Sequence, residues 1–167
     1  SNTTIQYPAR KMRIAYVVPR LEREYVTGGV GKKILDQVKN WREADHQVTI
    51  FLHTPDKIDS PDFEYFFYSN KINILGRAIS RYRAMSTLVN QVSDFNPDII
   101  YLRNAVYTPP VHLLAKISPT ILELNTIDVN EQFKRSLIDG VYILISRKIL
   151  LYEVSGLLAI RFSRISR

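Results

Sequence analysis

Short apolar runs alternate with helix-spaced apolar residues along this sequence of 167 residues. Nearly continuous apolar runs of this length are typical of strands that are buried on both faces of a parallel sheet. The sequence predicts six strands, at residues 13–18, 47–52, 63–68, 99–102, 120–124 and 156–160. Apolar residues three and four positions apart predict helices at residues 30–41, 79–95 and 131–152, and a shorter one at 111–117.

This order of elements predicts an α/β fold: a doubly wound, mostly parallel, Rossmann-like sheet with helices on both faces. We expect one such domain at residues 12–160. We expect residues 1–11 to be a tail that begins with the Ser-Asn remnant of an affinity tag, and residues 161–167 to be a basic tail. Ligands of these sheets bind at the carboxyl ends of the strands. The candidate binding loops are therefore residues 19–30, 53–62, 103–110 and 125–130.

The composition, with 46% hydrophobic and 23% charged residues, is that of an ordinary globular domain. The absence of cysteine excludes a disulfide scaffold, a thiolate zinc site and a cysteine nucleophile. No apolar stretch approaches the roughly 20 residues of a membrane-spanning helix. Since the lack of cysteine is compatible with a reducing compartment, we expect a cytoplasmic protein. The three histidines lack metal-ligand spacing, and no metal site is expected. Of these, His53 lies at the carboxyl end of a strand, either as an ordinary loop histidine or as a functional one.

The formal net charge of +7 favours anionic partners. The cations are not gathered in one run and no base-stacking motif accompanies them, which disfavours nucleic acid as the partner. Arg77, Arg81 and Arg83 stand beside Ile79 and Tyr82 in a predicted helix. Two interpretations are open for such a helix. Its charged side is solvated while its apolar side is buried in the core, or the helix lies on the anionic inner face of a membrane.

A glycine-rich loop, Thr27-Gly-Gly-Val-Gly31, separates the first strand from the first predicted helix. Glycine lets a ligand approach the backbone closely, and the free N–H groups of a helix N-terminus attract phosphate. Gly28, Gly29, Val30 and Lys32 are therefore candidate phosphate-binding residues, with a simple helix-starting turn as the alternative. A magnesium-binding phosphate loop is disfavoured because Lys33 stands where Ser or Thr is needed. A dinucleotide fingerprint is disfavoured because its third glycine would fall at Ile34.

Several segments resemble, in their order and spacing, the N-terminal domain of GT-B fold glycosyltransferases, and most closely the group 1 or family 4 class. The first strand is followed by the Gly-Gly-Val turn, and the second strand has the lead-in Asp45-His46 where the family commonly has Gly-His. Asn96-Pro-Asp98 precedes the fourth strand as in that family, and Pro119-Thr-Ile-Leu-Glu-Leu-Asn125 resembles its fifth strand.

The resemblance implies the N-terminal, acceptor-side domain of an enzyme that moves a sugar from a nucleotide-sugar donor to a sugar, polysaccharide or lipid-linked acceptor, with retention of configuration. It places the donor diphosphate at Gly28, Gly29 and Val30, with Lys32 beside them. Asn125 occupies the position where the family often has a catalytic histidine, so the catalytic residue stays unassigned. The candidate acceptor-binding residues are Arg20, Arg103, Asn104, Tyr107 and Asn125.

The resemblance further implies that donor binding needs a C-terminal GT-B domain, so residues 1–167 alone should be inactive. Neither a metal nor a cofactor is expected, since the nucleotide-sugar is a substrate. The alternative function is a stand-alone Rossmann-like module that binds anions or nucleic acid without catalysis.

Overall fold

The computed structural model describes residues 10–19, 21–58, 60–104, 109–125 and 159–163, with backbone only for Tyr25, Asn104, Leu124, Asn125 and residues 159–163. The strands are β1 (Arg13–Pro19), β2 (Gln47–Thr54), β3 (Phe63–Phe67), β4 (Ile99–Asn104), β5 (Thr120–Asn125) and β6 (Ala159–Ser163). The helices are α1 (Arg23–Thr27), α2 (Gly29–Glu43), α3 (Ile74–Phe95) and α4 (Leu114–Ile117), the last preceded by a 3-10 turn at Val111–Leu113.

The six strands form one sheet in the order β3-β2-β1-β4-β5-β6, and every neighbouring pair is parallel. In the centre, Tyr16 of β1 lies level with Ile50 of β2 on one side and Tyr101 of β4 on the other. The strand order reverses between β1 and β4, which is where α/β sheets open a ligand crevice. The predicted doubly wound, Rossmann-like α/β fold is confirmed.

Alternating strand residues bury two apolar clusters, one on each face of the sheet. The cluster under α2 includes Tyr16, Val18, Ile34, Val38, Ile50 and Leu52. The cluster under α3 and α4 includes Val17, Phe51, Met85, Leu88, Ile100 and Leu122. This two-sided burial explains why the strands are nearly continuous apolar runs in the sequence.

Some element boundaries differ from the sequence prediction. Helix α1 was not predicted, and α3 begins at Ile74 because the Asn73 side chain caps it by accepting a hydrogen bond of 2.8 Å from the Gly76 N–H. Strand β6 runs three residues past position 160, into the stretch predicted to be a basic tail, because its pairing with β5 continues to the Asn125–Ser163 register. The predicted helix at 131–152 lies outside the described residues.

Candidate functional site

The glycine turn between α1 and α2 lies just after β1, at the carboxyl edge of the sheet. Gly28 is extended, with φ −94° and ψ −165°, and no side chain caps the first turn of α2. The Gly28 carbonyl accepts the N–H of Lys32 at 3.1 Å, which closes the first helical turn. The amides that precede Lys32 in α2 lack acceptors within the helix, and the helix dipole adds partial positive charge there. The turn can therefore hold an anion close to the exposed Lys32.

The two glycines of α2 have different structural roles. Gly29 is exposed, and a Cβ added to it would meet nothing within 4 Å. Gly31 is buried against α1, and a Cβ added there would fall on the carbonyl oxygen of Val26, with the Val26 Cα 2.9 Å away. Gly31 is therefore what lets α1 pack against α2. The sequence marked Gly31 as part of a glycine-rich loop, but no pattern in it indicated this contact.

A buried polar network lies on the α2 side of the sheet, beneath the strand order reversal. Tyr101 Oη donates to Glu123 Oε2 at 3.0 Å, and Arg103 Nη1 donates to Tyr16 Oη at 3.4 Å. Arg103 Nη1 also lies 3.8 Å from Glu123 Oε2. Tyr16 Oη in turn donates to Gln37 Oε1 of α2 at 3.3 Å. The network thus connects α2 to β1, β4 and β5.

The side chains of the network are almost completely shielded from solvent, so a charged group among them would destabilise the fold if it lost its counter-charge. The side chains of Arg103 and Glu123 are 8% and 6% exposed. Burial raises the pKa of Tyr16 to about 12, although the hydrogen bond from Arg103 opposes this rise. Tyr16 is therefore a neutral hydroxyl at physiological pH and can donate to Gln37 while it accepts from Arg103. Trp41 packs edge-on against Tyr101, with ring centroids 5.3 Å apart.

The predicted acceptor residues fall into three groups. Arg103 lies at the end of β4, but its guanidinium is directed to Glu123 and Tyr16 inside the network. Asn104 and Asn125 are the last residues of the neighbouring strands β4 and β5, so their backbones end on the same edge as the glycine turn. Arg20 and Tyr107 lie outside the described residues.

The structure adds Tyr16, Tyr101 and Glu123 to this region, and sequence reasoning had assigned no function to any of them. Their only sequence signal is a polar group within an apolar strand. That signal identifies a residue that needs a buried partner but does not identify the partner.

His53 is a further buried titratable residue near the carboxyl end of a strand, outside the polar network. It belongs to β2, is 1% exposed and faces α3 rather than α2. Its Nε2 lies 3.2 Å from the Arg81 carbonyl oxygen, and its ring stacks on Tyr68 with centroids 4.4 Å apart. Nδ1 has no hydrogen-bond partner among the described residues. Burial lowers the pKa of His53 to about 4, so the imidazole is neutral at physiological pH.

The part of the chain that the structure describes has neither a cluster of metal-ligating side chains nor a helix that could cross a membrane. No three His, Asp or Glu side chains in it come together as metal ligands. None of its helices has the length and hydropathy needed to cross a bilayer.

The comparisons with known proteins concern the fold. No protein-family model matches the chain, and no curated protein matches it. Among solved structures, it is similar to an alpha-glucosyltransferase in complex with UDP and a 13-mer DNA containing an HMU base, with a TM-score of 0.54 and 16% identity. The match covers 90% of this chain and 38% of the glucosyltransferase. A match to homoserine dehydrogenase from S. aureus has a TM-score of 0.36 and 14% identity over 92% of this chain and 33% of that one. The TM-score of the second match is too low to support an argument. The first match shows that this chain shares a Rossmann-like fold with part of that glucosyltransferase.

Proposed function

We propose that the chain is the acceptor-side N-terminal domain of a GT-B glycosyltransferase of the group 1 or family 4 class. It would help move a sugar from a nucleotide-sugar donor to a sugar, polysaccharide or lipid-linked acceptor, with retention of configuration. The observation that carries the proposal is the uncapped glycine turn at the start of α2, beside the strand order reversal. The UDP bound to the glucosyltransferase of similar fold supports a nucleotide-sugar as the donor.

In the proposed reaction, negative charge develops on the diphosphate as the sugar leaves. The amides around Gly28, Gly29 and Val30 stabilise this charge because their orientation is set before the reaction begins. Lys32 adds a full positive charge one turn along the helix. The buried network keeps the turn in place, since Gln37 ties α2 to Tyr16 and through it to Arg103 and Glu123.

The proposed acceptor enters along the ends of β4 and β5, where Asn104 and Asn125 can orient hydroxyl groups. Arg20 and Tyr107 complete the proposed acceptor set, and Arg103 contributes by holding the end of β4. An asparagine cannot act as a base, so Asn125 has an orienting role and the catalytic residue is not assigned. The proposal includes a C-terminal domain that closes over the donor, a cytoplasmic location, no metal or cofactor, and no activity for residues 1–167 alone.

The experiment replaces Gly29 with Val in the full-length enzyme and measures donor turnover and the binding of UDP, GDP and ADP by calorimetry. The new side chain has room in the fold but covers the amides of the turn, so we expect turnover to fall about a hundredfold with thermal stability unchanged. Lys32→Gln should weaken nucleotide binding about fivefold through loss of one charge. Lys39→Gln, at the other end of α2, is the matched control and should change neither quantity.

Unchanged turnover and nucleotide binding in the Gly29→Val variant would disprove the diphosphate role. If the protein binds none of the three nucleotides but is retained on DNA at low salt, the alternative of a nucleic-acid-binding module replaces the enzyme.

A further inference from the structure

Strand β3 lies at one edge of the sheet, with β2 as its only neighbour among the described strands. Just beyond β3, the N–H of Tyr68 donates to the Thr54 carbonyl of β2 at 3.0 Å. Backbone groups point to alternate sides along a strand, so those of Tyr65 and Phe67 point away from β2. These outward N–H and C=O groups have no partner among the described residues, and they form a template for a further strand.

The side chains of this edge are unprotected as well. Tyr65 and Phe67 are 43% and 45% exposed, and they lie on the α2 face of the sheet, as Phe63 does. The register with β2 is continuous from Phe63 to Phe67, without a bulge. The strand contains neither lysine nor proline, the residues that commonly block an edge. The combination of open backbone groups and exposed rings therefore indicates a surface that pairs with another strand.

Opposite charges lie on the α3 face of the same edge. Glu64 is exposed and shares this face with Phe66, which packs against the core under α3. Ser80 of α3 reaches the end of β3, since its Oγ accepts a hydrogen bond of 2.9 Å from the Ser69 N–H. Arg83 is exposed and lies one helical turn beyond Ser80, on the same side of α3. The edge therefore has an anion near the start of β3 and a cation near its end.

We propose that two copies of this chain pair edge to edge through β3, in antiparallel orientation. Tyr65 of each copy lies opposite Phe67 of the other, so each such pair exchanges two backbone hydrogen bonds and brings two aromatic rings together. This register uses the open backbone groups. A register centred on Tyr65 would instead need the N–H of Phe63, which already donates to the Ser60 carbonyl at 3.4 Å.

The charges select a second copy as the occupant of the edge. In this register Glu64 lies opposite Tyr68 of the other copy. Arg83 is about 4.5 Å further along α3 than Ser80. Because α3 runs back along the sheet, this shift corresponds to about one strand residue before Ser69, the level of Tyr68. Glu64 of each copy therefore meets Arg83 of the other, and the two-fold symmetry forms this ion pair twice.

The inference is independent of the proposed function, since it uses none of the residues that hold the donor or acceptor. Sedimentation equilibrium of the 167-residue chain tests it at protein concentrations from about 1 µM to about 1 mM, the range of weak association. We expect a monomer–dimer equilibrium. Circular dichroism checks that each variant below is folded.

The first variant tests the aromatic pairs. Tyr65→Thr with Phe67→Thr keeps residues that favour strands but removes both ring pairs. We expect the dimer dissociation constant to rise about 25-fold, which is about fivefold for each pair. Tyr82→Thr is the matched control, because it removes an exposed ring from the side of α3 away from β3, and it should leave the constant unchanged.

A charge exchange tests the ion pair. Glu64→Arg and Arg83→Glu each bring like charges together twice in the dimer, so each should raise the dissociation constant about tenfold. The variant with both substitutions has opposite charges again, and its constant should return close to that of the unsubstituted chain. Lys116→Glu, which reverses an exposed cation on α4, is the matched control and should leave the constant unchanged.

Three results would overturn the proposal. A chain that stays monomeric at about 1 mM would leave the edge to an extended segment of another protein. A dimer that the threonine variant does not weaken would be held together by another surface. Equal losses in the Arg83→Glu and Lys116→Glu variants, or no recovery on charge exchange, would mean that overall charge governs the association.

Discussion

Gly31 offers the sharpest test of how the glycine turn is built. In the Gly31→Ala variant, the new methyl group would overlap the Val26 carbonyl, whose carbon would lie 2.5 Å from it. These atoms belong to the backbone of α1, so only a shift of that helix can relieve the overlap. We estimate the cost of such overpacking as about 3 kcal/mol. Alanine regains about 1 kcal/mol of helix propensity. The free energy of unfolding should therefore fall by about 2 kcal/mol.

Urea unfolding followed by the fluorescence of Trp41, the one tryptophan of the chain, measures this change. With a slope of about 2 kcal/mol per molar urea, the unfolding midpoint should drop by about 1 M. Gly29→Ala is the matched control, because the same substitution two residues earlier meets nothing within 4 Å. The free energy of unfolding of Gly29→Ala should either stay within a few tenths of a kcal/mol of the unsubstituted value or increase. Equal midpoints for the two variants would refute the assigned contact between Gly31 and α1.

Three further predictions concern buried polar groups and the cap of α3. Burial lowers the pKa of His53 from 6.5 in the unfolded chain to about 4 in the folded one, so between pH 6.5 and pH 4 only the unfolded chain binds a proton at this residue. The free energy of unfolding should therefore fall by about 3 kcal/mol as the pH is lowered through this range. Urea titrations of the His53→Phe variant should lack this fall. Glu123→Gln leaves Arg103 buried without its counter-charge and should cost about 3 kcal/mol in urea unfolding, most of which Arg103→Met in the same chain should restore. Asn73→Ala removes the cap of α3 and should cost about 1 kcal/mol by thermal unfolding; no change would show that the cap is replaceable.

The sequence alone specified the fold class and the approximate position of all six strands, because a strand covered on both faces has to be apolar at nearly every position. It also located the glycine turn, since three glycines within four residues between a strand and a helix are typical of a turn. It was less accurate at the ends of elements. The start of α3 depends on one side-chain hydrogen bond from Asn73, and the end of β6 depends on pairing with β5.

Only the tertiary structure decided which side chains meet. Tyr16, Arg103 and Glu123 come from three different strands, and their contact exists because parallel pairing places β1, β4 and β5 side by side in a fixed register. His53 differs from an ordinary loop histidine for the same reason: α3 returns over β2 and seals it from water. Local patterns report which residues need burial or a partner, while the partner is chosen by contacts between residues distant in the chain.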